Sequence, residues 1–213
     1  MTYVKASVRR PAGNPGNGIQ PKDQLVIYDV DDILSFPQRN DAGVVIEDDI
    51  VMKAGRYAIG IYLTPGTAEI SSNSDGETDA EGYTPSIKFN HPGNEQEIRE
   101  FKTNWLSKKC IVVLRYCSGK PADLIGTPCN PCKLSVSYTG SNESNTNELT
   151  FTQISKGDDI AIYRGTDTLE EPVAVVEAGA TDIDYQTDGQ YQLSAGAAKI
   201  AGVTGGSHGS VIT

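Results

Sequence analysis

Four cysteines, Cys110, Cys117, Cys129 and Cys132, are the side chains best suited by type to metal or redox chemistry, and the last two form a C-x2-C pair, CNPC. Such a pair supplies half of a tetrahedral zinc site, and the other half needs a second close pair. Cys110 and Cys117 are seven residues apart on a strand-like run. That odd separation points them to opposite faces, so they do not complete one site. A redox pair would need a helix after Cys129 to lower its thiol pKa, and none is read there. The four are read as small buried thiols with a turn around Pro128 and Pro131.

Gly205-Gly206-Ser207-His208-Gly209 matches the letters of the G-x-S-x-G nucleophile elbow. An elbow needs a strand before it, a helix after it and a catalytic His further along. Four residues follow Gly209, and the other His is His91. Acids cluster at Asp29, Asp31, Asp32 and at Asp182, Asp184, Asp188, but Ala195 stands where a calcium loop after Asp184 would place its bidentate Glu. Facing carboxylates for glycoside hydrolysis have no distinguishing signature among 28 acids. GNPGNG, residues 13–18, lacks the Lys-Ser/Thr of a P-loop and opens no helix. The expectation is a protein that is not an enzyme, with no catalytic residue, no cofactor and no metal.

The 213 residues carry 28 acidic and 18 basic side chains, a formal net charge of −10. A pI near 4.6 argues against a large surface that binds nucleic acid or anionic membrane, since such surfaces gain affinity by neutralising phosphate. No apolar run approaches the roughly 18–20 residues needed to cross a bilayer as a helix. The N-terminal stretch has Lys5, Arg9 and Arg10 with no apolar segment behind them, so no secretory signal is expected.

The elements that would position any site are mainly strands. Residues 1–23 are rich in Pro and Gly and read as an extended arm. Leu25 to Val30 is a β-branched and aromatic run, and residues 44–52 and 56–63 follow. The second of these alternates Tyr57, Ile59, Ile61, Leu63, and with Gly55 between them the two read as a hairpin with one buried face. Residues 71–85, SSNSDGETDAEGYTP, hold four acids and almost no aliphatic side chain. They read as a long exposed loop, a contact element that orders on assembly. One helix is expected over about 94–107, capped by Asn94 with Glu97 in a capping box. Its stripe of Ile98, Phe101 and Trp105 faces the core. Residues 110–117, CIVVLRYC, are a nearly continuous apolar strand with a central place. Short strands then recur at 133–138, 148–154, 159–163, 173–177, 181–185, 190–193 and 199–203, the pattern of an antiparallel β-sandwich or barrel. One domain is drawn over 24–205, with a flexible tail at 206–213.

This order of elements resembles the tail-tube proteins of long-tailed phages, whose plan is shared by the inner-tube proteins of contractile injection systems. Residues 97–116 (EIREFKTNWLSKKCIVVLRY), 149–165 (LTFTQISKGDDIAIYRG) and the segment Asp188-Gly189-Gln190-Tyr191 carry the likeness, which spans about 24–205. The four cysteines depart from the smallest members, and sequence after about residue 165 adds a further layer or appendage. The resemblance implies hexameric rings stacked into a tube that other tail proteins complete, located in the virion tail and, during assembly, in the host cytoplasm. DNA would pass through the lumen without specific binding, and no membrane partner is implied. Six copies would carry about 60 negative formal charges per ring, and acids facing the lumen would repel DNA within roughly a Debye length of 8 Å. Inter-ring contact falls to the arm and to the loop bearing Asp75, Gly76, Glu77, Asp79 and Glu81. The alternatives are a non-enzymatic β-sandwich module that binds carbohydrate or calcium, and another virion part such as a capsid decoration or tail-completion protein.

Overall fold

Strands with apolar residues on both faces belong at the centre of a sheet, and strands with one apolar face belong at its flanks. A computed structural model describes residues 6–117 and 119–169, together with the four short strands at 174–176, 182–184, 191–193 and 202–204. It follows that rule. The strands are β1 (Pro21–Asp29), β2 (Ile33–Ser35), β3 (Val45–Ile46), β4 (Val51–Met52), β5 (Ile59–Tyr62), β6 (Glu69–Asp75) and β7 (Gly82–Pro92). After helix α1 (Gln96–Trp105) come β8 (Cys110–Tyr116), β9 (Ala122–Ile125), β10 (Cys132–Gly140), β11 (Asn145–Gln153) and β12 (Ala161–Tyr163). The protein is mainly β with one amphipathic α-helix among the described residues, and ten of the strands share one sheet. That sheet is mixed, because β12 and β3 run parallel while its other pairs are antiparallel. It does not close into a barrel.

β1 and β8 are the central strands. Leu25 and Ile27 of β1, with Val112 and Leu114 of β8, enter one core, where Ile87 and Phe89 of β7 and Leu149 and Phe151 of β11 meet them. Val26 and Tyr28, with Ile111 and Val113, enter a second core on the opposite face with Leu124, Ile46 and Tyr163. Each such side chain removed from water contributes about 1.5–3 kcal/mol of gross stabilisation. The first core thus lies between a layer built on β1 and β8 and a layer formed by β10, β11, β7 and β6.

Among the described residues the two layers share a strand ladder at one place, with a further backbone bond from the Thr64 N–H to the Asn90 carbonyl at 2.8 Å. One edge of β8 pairs first with β9, from Leu114↔Asp123 to Val112↔Ile125, and then with β10 at the single position Cys110↔Cys132. Residues 127–131 loop out between them, closed by paired backbone bonds of Thr127 and Asn130 at 3.0 and 3.1 Å. Gly126 has φ +91° just before this excursion, and a Cβ there would stand 3.1 Å from Cys132 Sγ.

The expected hairpin of 44–52 with 56–63 is not formed. β3 pairs with β12, β4 with β2, and β5 with β1. The exposed acids Glu47, Asp48 and Asp49 interrupt the first run, so its two halves find different partners. Gly55, at φ +70°, does turn the chain.

The second core is closed by a polar lock. The Tyr28 hydroxyl donates to Asp167 Oδ1 at 2.6 Å, Arg115 Nε donates to Asp167 Oδ2, and Arg115 Nη2 donates to the Gly165 carbonyl at 2.7 Å. The Tyr163 hydroxyl accepts from the Ile50 N–H at 3.2 Å and donates to the Thr166 carbonyl at 3.1 Å.

Contacts divide the chain into two units, Met1–Leu169 and Glu170–Thr213, a boundary inside the domain drawn from sequence over 24–205. In the second unit β13 (Ala174–Val176) pairs in parallel with β15 (Tyr191–Leu193), and β14 (Asp182–Asp184) with β16 (Gly202–Thr204). Residues 6–20 form no strand and Val8 is 99% exposed, while β1 begins at Pro21, inside the stretch 1–23 read from sequence as an arm.

Candidate assembly surface

Residues 71–85 are not the loop expected. Their first part is the end of β6, their last part the start of β7, and only 76–81 form a turn. The two strands pair from Glu69↔Lys88 to Asp75↔Gly82. The polar run pairs all the same, because an edge ladder needs only backbone bonds and tolerates Ser, Asn and Asp side chains. The Ser71 and Ser86 hydroxyls add a cross-strand bond of 3.0 Å.

At its far end this ribbon is braced by the segment after β11. Tyr83 and Gly157 exchange backbone bonds of 2.9 and 3.0 Å, and Lys156 Nζ lies 3.0 Å from Asp75 Oδ2. The Lys156 ammonium, helped by the Gly76 N–H, holds the Asp75 carboxyl below the usual range. The turn is tightly wound. Gly76 has φ +142° and Asp79 has φ +70°, a left-handed conformation that Asp tolerates better than most residues. Asp75, Glu77, Asp79 and Glu81 are all exposed there. The structure therefore brings the acids of the predicted contact element to one ribbon tip, with Lys156 and Gly157 as supports that nothing in their local sequence signals.

β6 pairs with β7 alone among the described residues, which leaves its outer backbone groups open. The solvent face of the same layer is charge-balanced. Glu69 and Lys88 pair at 3.5 Å, and Lys133 and Glu148 add one charge of each sign among Ser, Thr and Asn side chains. The excess of acid lies instead at the ribbon tip and at Glu47, Asp48 and Asp49, while α1 balances Glu97 and Glu100 against Arg99 and Lys102.

The helix is shorter than expected, and Asn94 is not its cap. Glu95 holds that position without a side-chain bond, and the Asn94 side chain instead accepts from Lys102 Nζ at 3.0 Å. Lys102 also donates to the fully buried Asn147 at 2.6 Å, and that bond ties the helix to β11. Of the expected stripe, Ile98 is buried, and Phe101 and Trp105 are half-buried against the core, stacked with centroids 5.7 Å apart. Beside them Tyr62, His91 and Phe101 line an open groove of about 240 Å³.

Burial, aided by Lys102, holds the His91 imidazole below its ordinary pKa, against an opposing backbone bond at Pro92. The unfolded chain then takes up this proton first as pH falls. Stability due to His91 is complete above about pH 6.5 and declines below it. The urea midpoint of the native protein is expected to fall between about pH 7.5 and 5, with a smaller fall in His91→Gln. An equal pH dependence in the two proteins refutes the assignment.

The other sequence candidates do not converge. Cys110 and Cys132 are buried, while Cys117 and Cys129 are exposed. Asp29 caps the 3-10 turn at Val30–Asp32 and binds Lys108, while Asp32 faces Arg56 at 3.4 Å. Among the described residues no group of three His, Cys, Asp or Glu side chains is placed to hold a metal ion. The chain matches no family model, no curated protein and no solved structure. Gly205 to Gly209, the tail at 206–213 and Asp188 lie outside the described residues, and among those described no helix is long and apolar enough to cross a membrane.

Proposed function

We propose that this protein is a virion structural subunit that self-assembles as stacked hexameric rings into a phage tail tube. The observation that carries the reading is the open β6 edge, continued into a braced, acidic ribbon. An unpaired edge is a template on which a second copy adds its own strand, and main-chain bonds then supply the association. The ribbon tip and the exposed arm at residues 6–20 supply the contacts between successive rings. In this arrangement a wall formed by the β10-β11-β7-β6 face is electrically neutral. Repulsion of passing DNA then falls to those acids of the ribbon tip and of residues 47–49 that reach the lumen within about 8 Å.

Electron microscopy of the purified protein is expected to show rings about six subunits around, or tubes. Replacing residues 76–81 with a two-residue Asn-Gly turn is expected to leave the ladder intact and rings formed, but to stop stacking. A strictly monomeric protein that binds a glycan or calcium overturns the reading. Tubes of normal length from the turn variant refute the role of the tip.

A further inference from the structure

Cys110 and Cys132 meet at the only ladder position that joins β8 to β10, the one place among the described residues where a strand ladder links the two layers. Directly opposed residues of an antiparallel ladder have Cα atoms about 4.5–5.5 Å apart and side chains on one face. That spacing falls inside the roughly 4.4–6.8 Å window that a disulfide requires. Both thiols enter the same core, and Cys110 Sγ lies 3.4 Å from the Cys132 carbonyl oxygen. The bare Gly126 backbone is what leaves room for the Cys132 sulfur. Neither thiol is already spent, since both are free.

We propose that Cys110 and Cys132 form an oxidation site, a thiol pair that closes into a cross-strand disulfide and clamps the two layers together. The oxidant is a small peroxide. One thiolate attacks a peroxide oxygen, the O–O bond breaks, and a sulfenic acid forms as hydroxide leaves and takes up a proton as water. The second thiolate attacks that sulfur, the S–O bond breaks, and a second water leaves. The two sulfurs together give up two electrons, which reduce one peroxide to two waters.

Burial sets when this happens. It pushes the Cys110 thiol up to about 12 and the Cys132 thiol higher still, so both stay protonated and slow to react while the joint is closed. A joint held by one ladder position beside a five-residue excursion opens locally far more often than the whole sheet unfolds. Closure of the disulfide therefore follows transient opening of the joint, and the bond is shielded once the joint shuts.

The test uses the full chain with the exposed thiols removed, Cys117→Ser and Cys129→Ser, in dilute hydrogen peroxide. A second series adds urea below the unfolding transition. The expected product is lighter by two hydrogens, about 2 Da, yields a peptide linking Cys110 to Cys132, and forms faster in urea. Its thermal midpoint should be higher by about 5 °C or more, and dithiothreitol should abolish the difference. Unchanged mass, or oxygen adducts on single cysteines without the lighter species, overturns the pair. A disulfide that lowers the midpoint overturns the clamp. Neither outcome depends on whether the protein forms rings.

Discussion

Replacing Asp167 with Ala is expected to lower the unfolding free energy by about 3 kcal/mol, equivalent to about 6–12 °C in the thermal midpoint of a chain this size. The size of the effect comes from what is left behind. The Asp167 side chain is only 6% exposed and holds both the Tyr28 hydroxyl and the Arg115 guanidinium. Without it, Arg115, whose side chain is 28% exposed, loses its counter-charge, and Tyr28, 1% exposed, loses its acceptor. Desolvation without pairing is what makes the loss large. Asp167→Asn retains an acceptor for Tyr28, so its loss should be about half as great. Urea unfolding followed by the fluorescence of Trp105, the single tryptophan, reads both variants. A loss below about 1 kcal/mol for the Ala variant would show that the lock is ornamental.

Phe151→Ala is expected to cost about 3–5 kcal/mol. Phe151 is fully buried in the core between the layers, its ring near-parallel to that of Phe89 with centroids 6.3 Å apart. Truncation removes the ring from both strands at once, because Phe151 sits opposite Ile87 and Leu149 opposite Phe89. Rigid ladders on both sides keep the cavity from collapsing. Thr150→Ala, one residue away but on the solvent face, should change stability by no more than about 0.5 kcal/mol. Similar losses at 150 and 151 would contradict the assignment of faces.

Much of the fold could be read where burial dominates. Leu25 to Val30 became β1, CIVVLRYC became β8, and the strands after residue 130 lie within two or three residues of their expected places. In these runs apolar periodicity and the final environment report the same thing. The failures share one cause, which is that pairing partners are not a local property. The ladder of β6 with β7 is invisible to hydrophobicity because its residues are Ser, Asn and Asp. The parallel pairing of β3 with β12 joins residues more than 110 positions apart, and nothing near Val45 announces it. β9, Ala122–Ile125, was hidden by the prolines around it. Asn94 looked like a helix cap, but it was drawn instead to Lys102, whose ammonium also serves the buried Asn147. Of the candidate contact residues, the acids were legible as a cluster. Their ribbon was not, because Lys156 and Gly157 arrive from the far side of β11.

The placement of β1 has a consequence for synthesis on the ribosome. This strand emerges early, yet its two ladder neighbours are β5, at Ile59–Tyr62, and β8, at Cys110–Tyr116, and the core on its second face needs Tyr163. For most of translation the run Leu25 to Tyr28 has at most one neighbour and an uncovered face. Contacts of such long sequence separation make folding slow, and unpaired apolar strands in nascent chains are prone to wrong associations. A chain with this topology is expected to depend on holding factors until roughly residue 165 has cleared the exit tunnel, and then to close both cores together.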